Sequence, residues 1–133
     1  MIDLAVAARL LAAAHQRAAV LGARVSAAVV DQGGHLIAFG RMDGAEIAGP
    51  VLAVDKAFTA VSQSTSTVEL ATLAAPGGPL FGLHANGGGR YVIFPGGIPL
   101  RRDGVIVGGV GVSGGTIEED EACARAAEEA WSD

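Results

Sequence analysis

Five charged side chains crowd one stretch of a chain otherwise poor in charge: Arg41, Asp43, Glu46, Asp55 and Lys56. A guanidinium or ammonium in such a group can hold a carboxylate, while a nearby Asp orients it or accepts a proton. Arg41 and Lys56 are the candidate ligand-holding cations, and Lys56 with Asp43 the candidate acid–base pair. The same residues would serve equally well as an ion-pair network pinning a strand-to-helix turn.

The histidines are scattered, and none has a second His or carboxylate at the spacing of a zinc site. His84 lies in a loop rich in Gly and Pro, either as a solvated loop residue or as one that reaches a ligand in a neighbouring cleft. His15 falls on a helix, either as a partly buried residue or as a metal ligand. His35 reads as a surface residue of a hairpin. Cys123 is the only cysteine, which excludes an intrachain disulfide, and it shares a helix face with Ala126, Ala127 and Ala130. With no adjacent His to activate it, a core role fits better than a nucleophilic one.

Gly109-x-Gly111-x-x-Gly114 matches the dinucleotide fingerprint in form. The remainder of the βαβ unit is missing, so these glycines are expected to let a strand and a helix approach closely. An anion at the following helix start would meet Glu118, Glu119 and Asp120.

The elements that must position these residues are readable. Residues 3–21 form a helix capped by Asp3 and stopped by Gly22, with Leu4, Ala7, Leu11, Ala14 and Ala18 on one face. Residues 24–31 and 35–41 are strand-like runs joined by Gln32-Gly33-Gly34, a β-hairpin. Gly49-Pro50 opens a second helix, with Pro50 suited to its first position and Val51, Val54, Ala57, Phe58 and Val61 expected inward. Ser66-x-x-Glu69 and Thr116-x-x-Glu119 are capping-box patterns for a short helix to about residue 74 and for the last helix. Between them come a long loop over residues 75–90, a short strand over 91–94, an extended segment over 98–100 whose Pro99 favours a sheet edge, and a strand over 105–112. This order implies an α+β class, an antiparallel sheet with helices laid on it, as a single domain over residues 1–133.

Half of the residues are apolar and only 17% are charged, enough for a core and a surplus that self-association would bury. The net charge of -5 argues against a nucleic-acid partner, which would need a basic stripe. Arg9, His15 and Arg17 interrupt the apolar residues of the N-terminal segment, so neither a secretion signal nor a membrane span is expected, and a cytoplasmic location is.

Val29-Val30-Asp31-Gln32-Gly33-Gly34-His35-Leu36, Arg41-Met42-Asp43-Gly44-Ala45 and Lys56-Ala57-Phe58-Thr59-Ala60 resemble the GlcG/HbpS-like family. So do Gly96-Gly97-Ile98-Pro99-Leu100, Asp103-Gly104, and Gly108 to Gly115 followed by Asp120-Glu121. The blocks come in the family's order and cover nearly the whole chain. The resemblance implies a profilin-like fold with a five-stranded antiparallel sheet flanked by helices, and homo-oligomers, commonly dimers assembled into octamers. Members include extracellular haem-binding sensors, domains fused to corrinoid adenosyltransferases, and proteins encoded beside glycolate-oxidation genes. Some bind haem and some are described as haem-degrading. The constellation of Arg41, Asp43, Lys56, Gly96 and Gly97 looks like one ligand pocket of the family.

Two functions from different classes follow. The first is an oligomeric haem- or tetrapyrrole-binding protein, with iron ligated by His15 or His84 and Arg41 or Lys56 pairing a propionate. The second is a small-molecule enzyme working on a carboxylate or carbonyl substrate through Lys56, Asp43 and His84. A third reading is a non-catalytic partner of another enzyme.

Overall fold

The computed structural model describes residues 1–132 as one four-stranded antiparallel sheet with helices on both faces. Helix α1 (Leu4–Leu21) begins where Asp3 accepts a hydrogen bond from the Val6 amide at 2.8 Å and ends at Gly22, whose φ of 75° closes the last turn. The hairpin follows: β1 (Ser26–Asp31) and β2 (Leu36–Arg41). Asp31 builds its turn by accepting the Gly33 and His35 amides, each at 2.9 Å, and these bonds hold its carboxyl below the usual value of 3.8. His35 stands on the surface beside it.

Helix α2 (Gly49–Ser62) takes Pro50 in its first turn, and α3 (Thr67–Leu73) is short. Two single turns of 3-10 helix punctuate the loop before β3 (Gly97–Arg102) and β4 (Val105–Ser113). The capping box of α4 (Ile117–Ser132) forms in full: Glu119 accepts the Thr116 amide at 2.9 Å, and Thr116 accepts the Glu119 amide at 3.1 Å. The corresponding expectation at Ser66 is not met. Ser66 makes no side-chain cap, and Thr65 donates to Glu69 instead.

The strand order is β2-β1-β4-β3. The sheet has four strands, not the five implied by the resemblance. The missing one is the segment over 91–94, where the Val92 amide donates to Thr59 Oγ1 of α2 at 3.0 Å rather than to a neighbouring strand. The outer edge of β3 is closed to it in any case. Gly97 donates to Thr67 Oγ1, Pro99 has no N–H to offer, and the Arg101 carbonyl accepts the Trp131 indole.

The two faces of the sheet pack in different ways. On one, Val25, Ala27, Val29, Ile98, Leu100, Val110 and Val112 meet α1 and α4 in a core of interlocking side chains that includes Cys123. On the other, glycines let the backbone of α2 lie directly on the sheet. A Cβ at Gly111 would collide with the Ala53 carbonyl, and one at Gly109 would stand 3.0 Å from the Ala57 carbonyl. The expected close approach of strand and helix is therefore real, and it is made to α2. It also explains which face of α2 turns inward: Ala53, Ala57 and Ala60 are buried, whereas Val51 is exposed. Large side chains would not fit where backbone meets backbone.

Helix α1 is long and apolar enough to cross a membrane by length and composition alone. Its inner face, Ala7, Leu10, Ala14 and Ala18, is fully buried in the core, while further apolar residues such as Leu4 and Val20 are exposed.

Candidate functional site

The chemistry-bearing residues separate into a buried centre and an accessible one. Lys56 lies at the buried centre. Its side chain runs from α2 to the far end of β4, where Nζ donates to the Val112 carbonyl at 2.9 Å and to Asp120 Oδ2 at 3.1 Å. Asp120 Oδ1 in turn accepts the Gly115 amide at 2.9 Å, so the pair ties α2 to the loop that enters α4. The ring of Phe94 lies 5.9 Å from Nζ. Lys56 is only 1% exposed and Asp120 4%. Burial pushes the Lys56 pKa down and that of Asp120 up, each opposed by the charge of the other.

Gly96 and Gly97 do adjoin Lys56, as expected. With φ at 124°, Gly96 places its missing Cβ 3.0 Å from Lys56 Nζ, and a Cβ at Gly97 would strike the Lys56 carbonyl. Arg41 and Asp43 are bound elsewhere. Arg41 closes the turn before α2 by donating to the Ala45 carbonyl at 2.8 Å, and Asp43 is exposed. In the sheet, Arg41 pairs with Ser26, whose other neighbour is Ser113. Strand β1 therefore stands between Arg41 and the strand that Lys56 reaches, a separation of two strand spacings, about 10 Å. The partner of Lys56 is Asp120, one of the acids at the start of α4. Asp55 leaves the Lys56 centre, whereas the charge of Glu46 still acts on Lys56. Asp55 pairs with Arg90 at 3.0 Å, whose guanidinium lies 3.6 Å over the Phe58 ring, and Glu46 is exposed.

His15 forms the accessible centre. One turn of α1 beyond Leu11, it leans on the β2 edge of the sheet, with Nε2 3.0 Å from the Gly40 carbonyl. A carbonyl oxygen only accepts, so Nε2 carries the proton and the neutral ring keeps its lone pair on Nδ1. Gly40 makes the seat: a Cβ there would stand 2.7 Å from His15 Cε1. At ~100° per residue, Leu4, Ala8, Ala12 and Ala19 lie on the same side of α1 as His15, and all four are exposed. The result is a flat apolar strip with one half-buried imidazole in it.

His84 sits in a single 3-10 turn of the loop, exposed, with its ring edge-on to Phe81 at 6.0 Å. Cys123 is buried in the core and its thiol is pushed up to about 11 by burial, so it is protonated and inert at neutral pH. Among the described residues no group of three or more His, Cys, Asp or Glu could hold a metal ion by itself.

The family model described as haem-degrading protein HbpS-like matches residues 2–129. The chain belongs to the HbpS-like family. Among solved structures, this HbpS-like chain superposes on Klebsiella pneumoniae protein ORFY with a TM-score of 0.95 and 36% identity, covering 98% of this chain and 90% of that one. It superposes on a protein crystallised as the PduOC:haem complex with a TM-score of 0.89 and 40% identity, covering 92% and 88%. It is also 40% identical over 119 residues to the corrinoid adenosyltransferase PduO of Salmonella typhimurium, covering 90% of this chain but only 35% of that enzyme. The chain thus spans about a third of PduO.

Proposed function

We propose that this chain binds haem on the outer strip of α1, with His15 as a ligand to the iron. The observation that carries the reading is the seat of His15: one ring nitrogen donates to the Gly40 carbonyl, which leaves the lone pair of the other to a metal. Metal-ligating histidines are held in this way, the bond to the carbonyl fixing both the tautomer and the ring plane. Leu4, Ala8 and Ala12 offer the small apolar surface on which a planar macrocycle can lie without steric conflict. Support also comes from the 40% identity to a protein solved with haem. The bound group would supply iron redox or ligand-binding chemistry, tuned by the axial ligand.

This chain's own residues would do the rest. His15 donates its lone pair to the metal, and Gly40 holds the ring. Of the two cations expected to pair a propionate, Lys56 is already committed to Asp120, and Arg41, next to Gly40 on β2, projects to the other face of the sheet from His15 and donates to Ala45, so neither stands beside the strip. A second copy of the chain laid against the same strip would cover the other face of the macrocycle. That would bury the exposed apolar side of α1 and account for self-association.

Haem added to the purified chain should give a saturable Soret shift, with the visible and electron-paramagnetic spectra of a histidine-ligated iron. A weak response that never saturates, or a spectrum unchanged by replacing each histidine in turn, would contradict the proposal.

A further inference from the structure

A concavity lies at the opposite edge of the sheet from His15. A cleft of about 460 Å³ opens between the outer edge of β3, the segment leading into α3, and the C-terminal half of α4. Its volume is within the range of small-molecule pockets. None of its lining residues belongs to the haem strip or to the Lys56 centre.

The lining is unusual for a chain so poor in charge. Arg101, Arg125, Glu69 and Glu128 face the cleft with Pro99 and Trp131. Each charged group is fixed in place by the fold. Arg101 donates to the Ser64 carbonyl at 3.0 Å, and Glu69 accepts the Thr65 hydroxyl at 2.7 Å. Arg125 is held from two sides, by Glu121 at 2.8 Å and Glu128 at 2.9 Å. Trp131 is locked by its indole N–H to the Arg101 carbonyl at 2.9 Å, with the Arg102 guanidinium 4.6 Å from its ring centre.

Two cations and two anions cancel, so the cleft gives no net attraction to a singly charged ligand of either sign. What remains is a mixed array of planar donors and acceptors. Each guanidinium has five N–H groups and each carboxylate about four lone-pair sites, and the bonds above use only some of them. A hydroxyl is the group that matches such an array, because it both donates and accepts. Trp131, half-buried at the cleft, adds an apolar edge against which the C–H groups of a ring can rest. We propose that this cleft binds a neutral polyhydroxylated ring of monosaccharide or cyclitol size.

Trp131 is the only tryptophan of the chain, so its fluorescence reports on the cleft directly. The intact chain is titrated with glucose, galactose, ribose and myo-inositol, and in parallel with glycine and acetate as zwitterionic and anionic probes. A saturable change in Trp131 emission with at least one polyol, and with neither charged probe, is expected. Calorimetry should show that affinity falling at least about 10-fold in Glu69→Gln, which removes a charged acceptor, and in Trp131→Phe. Glu69 is exposed, so its variant should keep the wild-type melting temperature and carry the test even if Trp131→Phe fails to fold. No saturable response to any polyol, affinity unchanged in Glu69→Gln, or saturation by glycine or acetate instead would each overturn the proposal.

Discussion

Lys56 and His15 are the two side chains that sequence chemistry singled out on helices, and the fold treats them in opposite ways. Lys56 is sealed beneath Phe94 with both of its acceptors supplied by the protein. His15 spends one nitrogen on the backbone and keeps the lone pair of the other. A titratable group whose hydrogen bonds run to buried acceptors of the fold itself holds the structure together. One whose bonding is half complete at the surface has capacity left for a ligand. A perturbed pKa does not by itself mark a ligand-binding group, since that of Lys56 is pushed down by the burial that makes it inaccessible.

The largest effect is expected at the buried centre. Lys56→Ala leaves the Asp120 carboxylate buried without its partner and should cost about 3–5 kcal/mol of stability by denaturant unfolding. Replacing both members by apolar residues, Lys56→Met with Asp120→Leu, should recover most of that loss, since desolvation of both charges is then avoided. A Lys56→Ala variant of wild-type stability would erase the contrast with His15, because it would free Lys56 for the acid–base role.

A smaller and different effect is expected at the seat. Gly40→Ala places a methyl carbon against His15 Cε1 and displaces the ring. Haem affinity should fall about 10- to 100-fold, as for other groups that orient a metal ligand, and the Soret titration reads it directly. Unchanged affinity would mean that the Gly40 carbonyl does not set the ring.

The smallest effect belongs to the hairpin turn, remote from both centres. The folded pKa of Asp31 lies below its usual 3.8, so its contribution to stability is fully present above that value and is lost as the pH falls through the folded pKa. Asp31→Asn should therefore flatten the acid limb of the stability profile without altering haem binding. An unchanged acid limb would show that the turn bonds are replaced as readily in the unfolded chain.

Local chemistry was legible in the sequence. Asp3 and Gly22 bound α1, Pro50 starts α2, Thr116 and Glu119 cap α4, and the Gly-Gly turn makes the hairpin, because each of these acts over a few residues. What could not be read was set by distance along the chain. Lys56 and Asp120 are 64 residues apart, and only the folded sheet brings them together. The single signal was a lysine on an otherwise apolar helix face, which demands a buried partner without naming it. The inward face of α2 was misread for a similar reason. Val51 and Val54 look like core residues until Gly109 and Gly111 are known to lie beneath the helix. The segment over 91–94 has the composition of a strand, but strand formation needs an open edge, and Thr67, Pro99 and Trp131 close it. His15 was visible as a residue, whereas Gly40 as its seat was not.

The measurement that bears most directly on the central claim is a haem titration of His15→Ala beside His84→Ala, with melting temperatures recorded for both. His15→Ala should lose the saturable Soret band while melting as the wild type does, and His84→Ala should bind as the wild type does. Retention of the band in His15→Ala, or its loss in His84→Ala alone, would contradict the assignment of His15 as the ligand.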